Sequence, residues 1–379
     1  MGVEGARIIS AGLRRKLTGH RTYPGSAKDI CEAIVEGCFH PEKRYFQTSL
    51  TTYTDFWSRD FGRCVPALLK LGYREQVRSS YRYAFDCYEQ KGKFSLVITP
   101  RGNLFDFPYY APDGFAFFLS GLVHLDEPSL VRDHRSFLNR EMARFVRKVI
   151  DKSTGLARAN RYFSEAQDFS KRTSSCYTNA MCHLVAQCAM KLGLSNPLGR
   201  YDYKQLLRDH FWNGDHYYDD LMHWPYISGD ACITPFLVDA VDDAEARFAK
   251  VLRRMDLARL TKPFPARYGN TPKKNRPMIR IERFNPWQRD TIWTCLGLQL
   301  LGVMERYTPE RYARELARYE RLVEAFRCFP ELLTADGTRF YTGPFYMADD
   351  SMIWAADLLC MLRKRDGEIP EYFVKNIKP

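Results

Sequence analysis

The 379-residue chain lacks the sequence features that define several large classes of protein. No stretch approaches the roughly eighteen consecutive apolar residues that a membrane-spanning helix needs. The first twenty residues include Arg7, Arg14, Arg15 and Lys16 and have no continuous apolar run, so they do not resemble a secretory signal peptide. We therefore expect a soluble, cytoplasmic protein without a membrane partner.

Metal-binding and phosphate-binding motifs are also missing. The eleven cysteines include no CxxC pair and the eight histidines no HExxH, so we predict neither a metal site nor a cofactor. Most cysteines lie in apolar helical patterns, as Cys182 and Cys295 do, and their number is odd, which favours free, buried thiols over disulfides. No Gly-rich loop joins a strand to a helix, which argues against a Rossmann fold.

Helical periodicity is what the sequence has in abundance. Apolar residues recur at spacings of three and four, as in Ala33, Ile34 and Cys38 and again in Val65 and Leu68. With these two segments, the pattern predicts about twelve helices, the others covering roughly residues 74–91, 112–125, 130–150, 174–192, 202–211, 230–241, 243–255, 288–306, 309–327 and 347–364.

The predicted helices are of two kinds. Several are apolar on all sides, whereas others, such as 309–327, have a dense charged face. Inner and outer helices in alternation, with no β-rich region and no linker, favour an all-α fold, the (α/α)6 toroid of six helical hairpins. We expect a single domain over residues 1–379, with residues 1–25 as an N-terminal extension.

The net charge of +12 is concentrated in one segment rather than spread along the chain. Lys250–Arg283 contains eleven basic residues and two acidic ones. A solvated surface loop is one interpretation. The other is that the segment borders the functional site, where Arg267, Arg280 or Arg283 would face a carboxylate or phosphate group of a substrate. We expect no nucleic-acid partner.

Carboxylates and aromatic residues recur where loops enter predicted helices. In a ring of hairpins, the loops that enter the inner helices converge on one mouth, so these residues would line a shared pocket. Each motif alone also fits a helix cap or a local ion pair, as Asp168 with Lys171 or Arg172 would form. The stretches are Asp55–Gly62, 101–114, Glu165–Ala180, Phe211–Asp219, Ser228–Ala231, Pro286–Trp293, Phe329–Gly337 and Met347–Trp354.

The order and spacing of these motifs resemble the clan of (α/α)6 glycosidases that includes glucoamylases, trehalases and mannosylglycerate hydrolases. The similarity spans roughly residues 50–365. The stretch Trp57–Asp60 resembles the W-x-R-D element that grips the terminal sugar in glucoamylase-like enzymes. Asp168 is similar to the general acid that precedes a Y-x-N-A helix, which here begins at Tyr177, and Glu331 is similar to the C-terminal general base.

The resemblance implies a glycoside hydrolase that cleaves an α-linked sugar, exo-acting, inverting and α-glucosidase-like. Asp168 would protonate the leaving oxygen and Glu331 would activate water, in a pocket that takes a small-molecule or oligosaccharide substrate, with an anionic group as one option. The implied substrate-binding residues are Trp57, Arg59, Asp60, Asp113, Tyr177, Trp212, Asp230, Trp287 and Trp354.

The motifs around the two catalytic carboxylates depart from the clan's pattern. Glu165 therefore remains a rival for the acid, and Asp349 and Asp350 remain rivals for the base. A sugar epimerase or lyase on the same barrel would need a histidine or tyrosine base, and a non-catalytic carbohydrate- or polyanion-binding protein would need neither carboxylate. The sugar, its linkage and anomer, and the oligomeric state stay open.

Overall fold

The computed structural model describes residues 2–263, 265–269, 288, 291–344 and 346–369. These residues contain fourteen helices, α1 to α14. In chain order they are Gly2–Thr18, Ala27–Cys38, Ser58–Lys70, Arg74–Gln90, Pro112–Leu125, Pro128–Asp133, Arg135–Val149, Cys176–Lys191, Tyr203–Phe211, Gly229–Leu237, Ala244–Leu257, Thr294–Tyr307, Pro309–Phe326 and Ala355–Arg365.

Nine two-residue strands, β1 to β9, lie between the helices of the described chain. They are Phe39–His40, Tyr45–Phe46, Phe56–Trp57, Val97–Ile98, Leu104–Phe105, Ile292–Trp293, Leu332–Leu333, Thr342–Gly343 and Tyr346–Met347. All of these pairings are antiparallel: β1 with β2, β4 with both β3 and β5, β6 with β7, and β8 with β9.

Six inner helices form a closed ring. Helices α3, α5, α8, α10 and α12 pack against one another in that order, and α14 packs against α3. An ion pair of 2.8 Å between Glu305 of α12 and Lys364 of α14 links the remaining two neighbours. Each inner helix is preceded in the chain by an outer one: α2, α4, α7, α9, α11 and α13. The predicted all-α (α/α)6 toroid is confirmed.

Residue type explains which helices lie inside. Helix α5 is apolar on all sides, and eleven of its fourteen residues are buried, whereas only four residues of the charged helix α13 are buried. Gly62 permits the close contact of α3 with α5, because a Cβ atom at this position would lie 2.4 Å from the carbonyl oxygen of Phe117.

The helix boundaries differ from the predicted ones where local bonds compete with the helix. The segment predicted as one helix over 130–150 is divided at His134 into α6 and α7. Helix α12 begins at Thr294 rather than near 288, because Ile292 and Trp293 pair with β7. Helix α14 begins at Ala355 rather than near 347, since β9 occupies Tyr346–Met347.

Helix α1 is absent from the predicted set. It packs against β9, and after it the N–H groups of Arg21 and Tyr23 donate to Asp350 Oδ2 and to the carbonyl of Arg327. All eleven cysteines are free, as predicted. In the described chain, no helix combines the length and apolar character needed to cross a bilayer, and no cluster of His, Cys, Asp and Glu is arranged to hold a metal ion.

Candidate active site

The N-terminal ends of three inner helices meet around the guanidinium of Arg59. Arg59 lies in the first turn of α3, Asp113 in the first turn of α5, and Tyr177 in the first turn of α8. The Nε of Arg59 lies 2.8 Å from Oδ2 of Asp113, and the hydroxyl of Tyr177 donates to the same oxygen at 2.8 Å. Asp113 is fully buried, so it fixes the orientation of Arg59 from inside the ring.

Arg59 also binds Asp168, which lies in the loop before α8. Its Nη1 and Nη2 donate to Oδ1 of Asp168 at 3.1 and 3.0 Å. The Asp168 side chain is 19% exposed, and that of Asp113 is 0% exposed. Burial raises the pKa of Asp168 to about 7, although Arg59 opposes the rise. Asp168 is thus an accessible carboxyl group that exchanges its proton near neutral pH.

The Asp168 loop is anchored by a buried ion cluster around Arg172. The guanidinium lies 3.1 Å from Glu165 Oε2, 2.7 Å from Asp230 Oδ2 and 3.5 Å from Asp219 Oδ1. One positive charge among three carboxylates is buried here, and all four side chains are almost completely enclosed. The cluster therefore connects the loop before α8 to the first turn of α10.

Both oxygens of Glu165 have partners in this cluster. Oε1 accepts hydrogen bonds from Ser175, at 2.5 Å, and from Thr178. Burial raises the pKa of Glu165 to about 7, against the opposing charge of Arg172. Glu165, the rival acid, is thus occupied by side chains of the protein on every side.

Asp230 is occupied in the same way. Its Oδ1 accepts hydrogen bonds from Ser228 at 2.6 Å and from Gln167 at 2.9 Å, and its Oδ2 is the one that meets Arg172. The structure therefore places this predicted substrate-binding residue within the network that supports the Asp168 loop.

Glu331 lies on the other side of the mouth, immediately before β7. Its Oε2 accepts hydrogen bonds from the hydroxyl of Tyr346 at 2.5 Å and from the backbone N–H of Asp349 at 2.7 Å. Among the described residues, Oε1 receives no hydrogen bond. Burial, followed by the charge of Asp349, raises the pKa of Glu331 to about 7. One oxygen of this carboxyl group is therefore anchored and the other is available.

The backbone of Glu331 is held as firmly as its side chain. Its N–H donates to the carbonyl of Asp349 at 2.8 Å, and its carbonyl accepts from the N–H of Thr294, the first residue of α12, at 3.2 Å. The carboxyl group is thereby fixed at the start of an inner helix, as Asp113 is.

Asp349 and Asp350, the rival bases, both accept hydrogen bonds from other residues of the protein. Asp349 Oδ2 accepts from Ser49, Thr51 and the N–H of Thr52 at 2.7–2.9 Å. Burial would raise the pKa of Asp349, but Arg15 and these donors together lower it. Asp350 accepts from Ser351 Oγ at 2.6 Å and from the N–H of Arg21 at 2.9 Å.

Asp60 and Trp354 connect the two sides of the mouth. The indole N–H of Trp354 donates to Asp60 Oδ1 at 2.7 Å, which joins α3 to the start of α14. The charge of Asp60 raises the pKa of Asp168, and the charges of Asp60 and Glu331 both raise that of Cys295. Asp60 therefore acts electrostatically on Asp168, and it acts together with Glu331 on the thiol of Cys295.

The remaining predicted residues divide into three cases. Trp57 is buried next to this group, and its ring packs edge-on against Phe105 and Phe107 at 6.4 and 6.3 Å. Trp212 lies at the end of outer helix α9, where the guanidinium of Arg247 lies 5.3 Å from its ring, and it contacts none of the other described site residues. Trp287 lies outside the described residues.

The basic segment is only partly described. Lys250–Leu257 belongs to helix α11, and Arg253 on it is largely exposed. Arg267 donates to the carbonyl of Ala335, four residues after Glu331, so this part of the segment reaches the loop that follows the candidate base. Arg280 and Arg283 lie outside the described residues.

Sequence reasoning missed two residues that hold Glu331 in place. Tyr346 lies one residue before the predicted site stretch Met347–Trp354. Because its neighbours are aromatic or apolar, the sequence pattern there resembles that of core residues. Arg15 contacts Asp349 and Asp350 at 3.6 and 3.5 Å from more than 330 positions away in the chain. No local pattern signals such a contact.

Comparison with known proteins gives matches in structure only. The sequence matches no protein-family model and no curated protein. A rhamnosidase from Klebsiella oxytoca with rhamnose bound is similar, with a TM-score of 0.65, 11% identity, 91% of this chain covered and 66% of that one. This chain therefore spans just under two thirds of that rhamnosidase.

Two further solved structures match over nearly their whole length. A glycosidase variant in complex with glucose has a TM-score of 0.61 and 12% identity, covering 98% of this chain and 100% of that one. The GH63 mannosylglycerate hydrolase from Thermus thermophilus, in complex with Tris, has a TM-score of 0.61 and 12% identity, covering 89% and 99%. The chain therefore has the fold of the six-hairpin glycosidases.

Proposed function

We propose that this protein is an exo-acting glycoside hydrolase that cleaves an α-linked sugar with inversion of configuration. The observation that carries the proposal is a pair of differently held carboxyl groups, Asp168 and Glu331, in loops that are bonded to the first turns of inner helices. Both have a pKa of about 7. Each can therefore be present in the protonation state that acid–base catalysis requires near neutral pH.

Asp168 is the general acid. Because burial favours its neutral form, it carries a proton at pH values where an ordinary aspartate has none. Arg59 fixes Oδ1 through two hydrogen bonds, which leaves Oδ2 to donate that proton to the glycosidic oxygen. As the bond between this oxygen and the anomeric carbon breaks, the negative charge that develops on Asp168 is stabilised by Arg59.

Glu331 is the general base. Tyr346 and the N–H of Asp349 hold its Oε2, so Oε1 can accept a proton from water on the face of the sugar opposite the leaving group. The water oxygen then bonds to the anomeric carbon, and its second proton stays on the new hydroxyl group. A single displacement of this kind needs carboxyl groups about 6.5–9.5 Å apart, whereas a retaining enzyme places them about 5–5.5 Å apart.

The neighbouring residues form the binding surface for the terminal sugar. Trp57 supplies an aromatic wall, and Arg59 and Asp60 supply a donor and an acceptor for adjacent hydroxyl groups. Asp113 and Tyr177 orient Arg59 from behind. Asp230 has the corresponding role for the Asp168 loop, through Arg172.

The rival carboxylates are less suitable because hydrogen bonds already occupy them. Glu165 would have to release Arg172 or Ser175 before it could protonate a substrate. Asp349 accepts four hydrogen bonds and has a lowered pKa, so it is a weaker base than Glu331.

An epimerase or lyase would need a histidine or tyrosine base, and burial raises the pKa of Tyr177 and of Tyr346 well above the ordinary value for tyrosine. His183 is mostly buried within α8, and burial lowers its pKa to about 4. His216 and His223 lie in the turn after α9, where they bond Asn213 and the carbonyl of His210 rather than Asp168 or Glu331. A binding protein without turnover would not need a pair of carboxyl groups with raised pKa values.

Hydrolysis of a panel of α-linked glycosides tests the proposal. The panel contains glucosyl and mannosyl disaccharides and the corresponding glycerate-linked sugars, and released sugar is measured for the wild type and for the Asp168→Asn and Glu331→Gln variants. We expect turnover of at least one substrate by the wild type and near-complete loss in both variants. Binding without turnover of any panel member would instead favour the carbohydrate-binding alternative.

A further inference from the structure

Helix α1 binds the two loops that surround Glu331 through three basic side chains. Arg7 pairs with Asp55 and donates to Thr54 Oγ1 at 3.1 Å. Lys16 donates to the carbonyl of Pro344 at 2.8 Å, in the hairpin of β8 and β9. The N-terminal segment, predicted from the sequence as an extension, is therefore bound to the loops at the mouth of the ring.

Arg15 is the buried member of the three, with 6% of its surface exposed. Its Nη1 donates to Thr52 Oγ1 at 2.9 Å and to the carbonyl of Met347 at 3.4 Å, and its Nη2 donates to the carbonyl of Ala348. The same two nitrogens lie 3.6 Å from Asp349 Oδ2 and 3.5 Å from Asp350 Oδ2. One guanidinium thus holds four consecutive residues, 347–350.

This segment is the one that holds the candidate base. Tyr346, directly before it, and the N–H of Asp349, within it, are the two donors to Glu331 Oε2. If the segment moved, both donors would move together. A charged helix at the N-terminus therefore fixes the geometry of a carboxyl group that lies more than 300 residues further along the chain.

Arg15 also opposes the one negative charge that acts most strongly on Glu331. The groups around Glu331 are Asp349, Tyr346, Tyr53, Arg15 and the thiol of Cys295. The charge of Asp349 raises the pKa of Glu331, and that of Arg15 lowers it. Besides Arg15, four hydrogen bonds favour the ionised form of Asp349.

We infer that Arg15 is a positioning residue for the general base: it fixes the 347–350 segment against α1, holds both donors to Glu331, and balances the charge of Asp349. This inference rests on the proposed function, in which Glu331 activates water. It gives α1 a role in catalysis through Glu331, without contact with the sugar.

The test compares Arg15→Gln and Arg15→Lys with a matched control, Arg14→Gln. Arg14 is the exposed neighbour on the same helix, so its replacement removes one positive charge without touching the 347–350 segment. Glutamate labelled with ¹³C at Cδ is followed by NMR against pH in the full chain, and the Glu331 signal is assigned by its loss in Glu331→Gln. Kinetics on the substrate that the wild type hydrolyses and thermal unfolding are measured in parallel.

We expect Arg15→Gln to raise the pKa of Glu331 by about one unit and to move the acidic limb of kcat/KM by the same amount. Arg15→Lys keeps the charge, but a single ammonium group cannot bond the carbonyls of Met347 and Ala348 and also face both aspartates. The kcat of this variant should therefore fall about tenfold, with KM unchanged. Arg14→Gln should match the wild type. If Arg15→Gln does not fold, the lysine variant carries the test.

The inference is overturned if folded Arg15→Gln titrates Glu331 at the wild-type pKa, or if Arg15→Lys keeps the wild-type kcat. Both results are distinguishable from failure of the proposed function. If the proposed function fails, the wild type hydrolyses no substrate of the panel, while the NMR titration still reports whether Arg15 affects the pKa of Glu331.

Discussion

The guanidinium of Arg59 donates two hydrogen bonds to a single oxygen of Asp168, at 3.1 and 3.0 Å, although the two residues are 109 positions apart. Such an arrangement leaves the other carboxyl oxygen of Asp168 at the partly exposed edge of the group. It also stabilises the negative charge that remains after Asp168 has given up its proton. Arg59 therefore holds Asp168 in a suitable position both before and after it donates its proton.

Replacement of Asp168 by Asn should abolish most hydrolysis of natural glycosides. The amide preserves the contact with Arg59 but has no proton to transfer, so kcat should fall by about 10²–10⁴-fold. Aryl glycosides whose phenol leaving group has a low pKa need no protonation, so the variant should hydrolyse them nearly as well as the wild type does. Asp86→Asn, on the exposed side of outer helix α4, is the control. Equal losses on both kinds of substrate would exclude Asp168 as the acid.

The same variant should be more stable than the wild type at high pH. Asp168 has a pKa of about 7 in the folded protein and an ordinary pKa near 3.8 when unfolded. Since the folded pKa is the higher one, its contribution to stability is greatest below pH 3.8 and is lost as pH rises towards 7. The gain in unfolding temperature of Asp168→Asn should therefore increase between pH 5 and pH 8. A gain that is independent of pH would contradict the assigned titration.

Replacement of Tyr346 by Phe should move the acidic limb of the pH–rate profile. The hydroxyl of Tyr346 lowers the pKa of Glu331 by donating to its ionised form, and the base must be ionised to act. Without that donor, the limb at low pH should shift upwards by about one unit, while the limb set by Asp168 stays in place. Tyr312→Phe on outer helix α13 should leave both limbs unchanged. A shift of the alkaline limb instead would reverse the roles of the two carboxyl groups.

Replacement of Arg267, Arg280 and Arg283 by Gln tests whether the basic segment selects an anionic substrate. Arg267 contacts the loop after Glu331, and the other two lie outside the described residues. We predict a higher KM for a glycerate-linked sugar and an unchanged KM for a neutral one, with the difference reduced at high salt. Equal effects on the two substrates, or no effect, would leave the segment as a solvated surface loop.

Local sequence patterns were sufficient to predict the ring of helices. The distribution of apolar residues around each helix distinguishes inner from outer helices. An inner helix such as α5 is buried on all sides and is therefore apolar on all sides. Arg59, Asp113 and Tyr177 could be anticipated because each lies in the first turn of an inner helix, where the loops converge. That shared position explains why the three side chains lie close together.

The pairing of charges could not be predicted, because it depends on which distant segments meet. Arg172 is only four residues from Asp168, yet it binds Glu165, Asp219 and Asp230, and Asp168 is bound by Arg59 instead. Arg15 was counted among the charges that exclude a signal peptide. Its burial against Asp349 arises from the packing of α1 on β9, for which the sequence has no periodic signal.

The stereochemistry of the first product is the most direct test of the central claim. Hydrolysis of an α-linked disaccharide is followed by ¹H NMR from the first seconds, before mutarotation equilibrates the anomers, with Glu331→Gln as the inactive reference. A single displacement by water activated at Glu331 predicts that the β-anomer appears first and that the variant releases no sugar. Initial release of the α-anomer, or wild-type turnover by the variant, would contradict the account.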